Sequence, residues 1–223
     1  MRHTTPHAIA SLAALTLLAI PSTSSAQEAS DSAPIYERGG IAGLGLTAGL
    51  KGSLGFGQVY DTTGLGLGAE LELGWVTPYR PVQVFVSGAY KSTGREGGLA
   101  DDPRLAAQGT YTLAQAQGII TLGALYRLPF GGDLLRPYAA LGARVYLTST
   151  EVTGASGDEP FGDVFVEQGT DLGAYGALGV DVFIGPGSIL AEINTGWAPV
   201  GRFVLQDTST GMLDIAVGYR MFF

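Results

Sequence analysis

The stretch GLGLGAELELGW, residues 64–75, sets a leucine or alanine at every second position, with glycine or glutamate between them. Period two is the repeat of a β-strand, whose successive side chains point to opposite faces. One face is therefore apolar and the other polar or bare. A water-soluble sheet would turn Leu65, Leu67, Leu71 and Leu73 into a core and give Glu70 and Glu72 to water. A strand in a membrane barrel does the reverse, with the leucines to lipid and the glutamates to the lumen.

The same alternation recurs in eight segments, at about 41–51, 64–76, 82–93, 113–128, 137–150, 171–184, 188–198 and 211–223. No stretch reads as a helix, although DDPRLAAQ has the composition for one turn in a loop. The connections alternate in length. GSLGFGQVYDTT is long and TPYRP tight. GREGGLADDPRLAAQGTY is long and PFGGDLLR shorter. EVTGASGDEPFGDVFVEQGT is the longest, GPG is minimal, and PVGRFVLQDTST is long again. Short turns at one end and long loops at the other are the pattern of a bacterial outer-membrane barrel.

One set of faces carries Leu44, Leu46, Leu50, Leu65, Leu67, Leu71, Leu73, Val82, Val84, Val86, Ile120, Leu122 and Leu128. It continues with Leu141, Val145, Leu147, Leu178, Val180, Val182, Ile184, Ile189, Ile193, Leu213, Ile215 and Val217, and holds no charge. The opposite faces hold many glycines with Lys51, Glu70, Glu72, Lys91, Arg127, Arg144, Asp181, Glu192, Asp214 and Arg220. That is five cations and five anions. Gln83, Gln115, Gln117, Thr121, Tyr146 and Asn194 share that side. A solvent-facing surface needs neither the balance of sign nor the glycine. The tight interior of a small barrel needs both, because eight strands leave room inside only for side chains. The fold expected is all-β, an eight-stranded antiparallel up-and-down transmembrane β-barrel over residues 40–223. On the apolar face Trp75, Tyr126, Tyr219 and Phe223 fall near the short-turn ends, and Tyr90 and Trp197 near the outer ends, as two interfacial girdles would.

The N-terminus reads as an export signal. Arg2 starts it, AIASLAALTLLAI follows, and PSTSSA offers small residues Ser24 and Ala26 for cleavage before Gln27. The apolar run is too short for a spanning helix. Loss of 26 residues from 223 leaves 197 without histidine, and loss of Arg2 takes the charge from −8 to −9. Residues 27–39 read as a short flexible periplasmic lead. The negative charge argues against nucleic acid. Absence of cysteine excludes disulfides, thiolate chemistry and a lipoprotein anchor.

The last strand, MLDIAVGYRMFF, ends on Phe223. With Gly218 and Met221 it resembles the C-terminal assembly signal of bacterial outer-membrane proteins, although Ala216 stands where that pattern commonly has a polar residue. From about residue 40 to 223 the chain resembles small eight-stranded barrels of the OmpA membrane-domain and OmpX type. The resemblance implies an outer-membrane location in a Gram-negative bacterium, and a monomer in contact with outer-membrane lipid and lipopolysaccharide. It also implies assembly through the C-terminal strand, with no separate peptidoglycan-binding domain after it. That class includes structural, adhesive and narrow-channel proteins.

Barrels resembling lipid A deacylases or phospholipases pair a serine with a histidine base. The mature chain lacks that base, so no catalytic residue is assigned. Glu70 and Glu72 face the same side and read as ion-pair partners. No cofactor or metal is expected. Asp158, Glu159, Asp163, Glu167 and Asp171 could together hold calcium loosely, but their spacing matches no EF-hand loop and they read as a solvated acidic loop. The expected role is structural or at the surface, with the lumen plugged by charged residues. The alternative is a narrow channel for small solutes or ions.

Overall fold

The computed structural model describes residues 35–57, 65–98, 109–156, 159–160, 165–201 and 209–223. The export signal, the lead up to residue 34 and DDPRLAAQ lie outside them. The strands are β1 (Leu46–Gly57), β2 (Gly66–Val76), β3 (Val82–Gly98), β4 (Gly109–Arg127), β5 (Leu135–Ser156), a two-residue β6 (Glu159–Pro160), β7 (Phe165–Ile184), β8 (Gly187–Trp197) and β9 (Met212–Phe222). No helix occurs among the described residues.

Every pairing is antiparallel. The long strands follow the order β4-β3-β2-β1-β9-β8-β7-β5, and a β4–β5 ladder closes the ring into an eight-stranded barrel. β6 adds only to the outer end of β5. Residues 77–81, 128–134 and 185–186 turn tightly at one end, which also holds the start of β1 and the end of β9.

The apolar residues face out. Leu71, Leu122, Leu141 and Leu178 are 66%, 67%, 73% and 68% exposed. The girdle aromatics Trp75, Tyr90, Tyr126, Trp197, Tyr219 and Phe223 are exposed too. No water-soluble protein leaves so continuous an apolar band uncovered, so the opening segment follows the membrane alternative, with leucines outside and glutamates inside.

Inward glycines make the interior possible. A Cβ at Gly179 would run into the Tyr138 ring, one at Gly123 into Phe85, and one at Gly218 into the Leu50 backbone beside Lys51. Tyr138 and Phe85 each lie on a bare stretch of neighbouring strand.

Several boundaries differ from those expected. The first strand begins at Leu46 rather than about 41, because residues 35–45 turn repeatedly on glycines before it. Within the lead expected to be flexible, residues 35–39 are folded against the barrel, and Tyr36 is 3% exposed. The outer ends of β3, β4, β5 and β7 also run further than expected. The added residues there, GREGG, GTYT, EVTGAS and FVEQGT, are rich in glycine, threonine and charge, which give a weak apolar signal.

The charged lumen as candidate functional site

All ten charged residues assigned to the inner face are buried, Asp181 and Arg220 to 0% exposure. Each of the eight long strands contributes at least one. Arg220 on β9 is the centre of the group near the short turns. Its Nε donates to Glu72 Oε1 at 2.8 Å and its Nη1 to Asp181 Oδ1 at 2.9 Å. Gly49 of β1 is the cross-strand partner of both Glu72 and Arg220. With no side chain between them, the guanidinium reaches across β1 to the carboxylate.

Asp181 also accepts from Arg127 Nε at 3.1 Å and from Ser188 Oγ at 2.9 Å. Arg127 Nη2 donates to Gln83 Oε1 at 2.8 Å, and Gln83 Nε2 donates in turn to Glu72 and Thr47. Lys51 Nζ lies 2.9 Å from Glu70, 3.1 Å from Glu72 and 3.7 Å from Glu192. Glu70 and Glu72 are thus both engaged by Lys51, and Glu72 by Arg220 as well. Neither stands free as a general base.

Glu192 links this group to a second one. It accepts from Tyr138 Oη at 3.0 Å, Tyr175 Oη at 3.1 Å and Asn194 Nδ2 at 3.0 Å. The Tyr138 ring lies 5.5 Å from the Arg220 guanidinium and the Tyr175 ring 4.3 Å from that of Arg144, within cation–π range. Arg144 donates to Thr121 and Asn194 and lies 4.0 Å from Asp214, which pairs with Lys91 across the lumen. Further out, Gln117, level with Lys91, donates to Gln115, and Gln115 to Thr150, whose cross-strand neighbour is Glu167.

Tyr175 escaped the sequence reading although it stands six residues before Asp181, on the same face. Tyr36 gave no signal at all. Its ring stacks on Phe183 at 5.2 Å, with the Arg127 guanidinium 4.9 Å from its centre. Burial, with the bond from its hydroxyl to Glu37, pushes that hydroxyl up to about 12.

Of the acidic residues considered for calcium, Glu167 and Asp171 lie on β7, the side chain of Glu159 is not among those described, and Asp158 and Asp163 lie outside the described residues. Among the described residues no three potential ligands cluster. Gly218 lies on the inner face of β9, Met221 is half-buried, and Phe223 is exposed at the strand end.

No family model and no curated protein match the chain. Among solved structures, a major outer membrane protein from Thermus thermophilus is similar at 12% identity and a TM-score of 0.51, covering 80% of this chain and 99% of that one. The N-terminal β-barrel domain of Pseudomonas aeruginosa OprF matches at 15% identity and 0.38, covering 78% and 97%. Ail, the attachment invasion locus protein of Yersinia pestis, matches at 15% and 0.40, covering 79% and 96%. The Thermus likeness is one of fold: the chain has the architecture of small outer-membrane β-barrels.

Proposed function

We propose that this barrel sits in the outer membrane of a Gram-negative bacterium and serves there as a structural or surface-interaction protein, with its lumen closed to solutes. The observation that carries the reading is the connected set of ten buried charges, five of each sign, drawn from all eight long strands. A passage would need a continuous wet path, and these side chains bond to one another across the space it would occupy. Engagement of Glu70 and Glu72 in ion pairs, together with a histidine-free barrel, supports a role other than catalysis.

The surface part of the reading rests on an asymmetry of the outer end. The β3–β4 ladder continues to Gly98↔Thr110 and β5–β7 to Val152↔Phe165. By contrast, β2–β3 stops at Leu67↔Ser92, and β8 joins β7 only from Ala174. Four strands therefore rise as a sheet above the rest, with Phe165 and Val166 about half exposed near its tip. An extended segment of a partner could add to such a sheet edge. The apolar band would contact outer-membrane lipid and lipopolysaccharide, and β9, through Gly218, Met221 and Phe223, the assembly machinery.

Conductance in planar bilayers tests the closed lumen. The purified protein is expected to give no steady, large single-channel current. Such a current would overturn this reading in favour of a channel.

A further inference from the structure

The segment before β1 crosses the short-turn mouth of the barrel and is held there from several sides. Tyr36 packs with Val76 at the end of β2 and Phe222 at the end of β9, with Phe183 of β7 and Ile35 beside them. Arg127 of β4 and Arg136 of β5 place guanidiniums 4.9 and 6.0 Å from its ring. Backbone bonds fix the rest. Ile41 N donates to Phe222 O at 3.1 Å, Gly45 N to Gly39 O at 2.7 Å, and Val76 N to Gly45 O at 2.7 Å.

Two glycines shape this path. Gly40 has φ of 84° and lies so close to Phe223 that a Cβ would strike its backbone, and Gly45 has φ of 68°. Side chains rarely adopt that conformation, and glycine does so freely. Beneath the ring lie Arg127 and its partner Asp181, the members of the charged network next to the mouth.

We propose that residues 35–45 form a latch that seats Tyr36 in the periplasmic mouth and keeps water from the charged network, and that undocking the latch opens this end of the lumen. This goes beyond the closed lumen proposed above: it assigns the seal at one end to a segment outside the strands, held by one aromatic side chain and a few backbone bonds and therefore able to open while the barrel stays folded.

The chain has no cysteine, so Val76→Cys supplies a single thiol directly beneath Tyr36. Its rate of reaction with a charged thiosulfonate reagent, in the folded protein in detergent micelles, reads the state of the latch. Gly132→Cys, in the exposed β4–β5 turn, gives the rate of an open thiol. Val76→Cys is expected to react far more slowly. Adding Tyr36→Ala should speed it about tenfold or more, because a local opening replaces a closed state. Gly40→Ala should do so by the independent route of a clash with Phe223. Tyr36→Phe should keep the slow rate, since among the described residues the hydroxyl bonds only to the neighbouring Glu37. The proposal is overturned if Tyr36→Ala and Gly40→Ala, with strand circular dichroism unchanged, leave the rate where it was. It is also overturned, without any latch variant, if Val76→Cys alone reacts as fast as Gly132→Cys.

Discussion

The two halves of the lumen solve the same packing problem with different chemistry. Towards the short turns, Arg220, Asp181, Arg127, Glu72 and Lys51 interlock as ion pairs, all nearly or fully removed from solvent. Towards the outer end the charges thin out: Gln115, Gln117, Thr148 and Thr150 are neutral and buried, while the Lys91–Asp214 pair stands level with Gln117 and half-buried Glu167 lies across from Thr150. A neutral amide that loses a partner leaves a dipole unsatisfied, whereas a buried ion that loses one leaves a charge uncompensated. The ion-paired positions, concentrated near the short turns, are therefore specified tightly, residue by residue, and the neutral ones loosely.

The largest effect expected from this contrast is at Arg220. Arg220→Ala takes one buried arginine from both Glu72, left with Lys51, and Asp181, left with Arg127, and should cost about 3–5 kcal/mol, less any part that lumen water recovers. Denaturant titration of the barrel in lipid vesicles measures it, and a loss near zero would mean that the two halves are not different in kind.

Leu178→Arg places the same kind of charge on the outer wall, where lipid offers no partner. It should cost about 2–4 kcal/mol near the bilayer midplane. The same titration reads it, and a neutral result would mean that Leu178 does not face lipid.

Gln115→Ala, among the neutral groups, removes bonds to Thr150 and from Gln117. It should cost about 1 kcal/mol. A loss equal to that of Arg220→Ala would erase the distinction between the halves.

The strand count and the identity of each face were legible in the sequence, because period two assigns every residue of a strand once one is assigned. Glu70 and Glu72 in a leucine repeat, or Asp181 between Val180 and Val182, declare their side without reference to any neighbour. The partners were not legible. That Arg220 meets Asp181, 39 positions earlier, and Glu72, 148 positions earlier, depends on the stagger of the strands around the ring, which no single strand encodes. Nor was the seat of Tyr36 legible. APIYERGG has the polar, glycine-ended composition of a linker, and the residues that bury its tyrosine come from β2, β4, β5, β7 and β9.

The placement of Arg220 and Asp214 on β9, the last strand, also bears on how the barrel can form. Until β9 joins β1 and β8, Glu72 has no arginine, Asp181 keeps one arginine, Arg127, beside Ser188, and Lys91 lacks its carboxylate across the ring. An open, seven-stranded curl is neutral in sum and still unsatisfied at each of these points. Such an intermediate gains little from staying in lipid, so the last strand acts as a keystone: insertion and closure become one cooperative event, and a chain cut short of β9 is left as a species that proteases can clear.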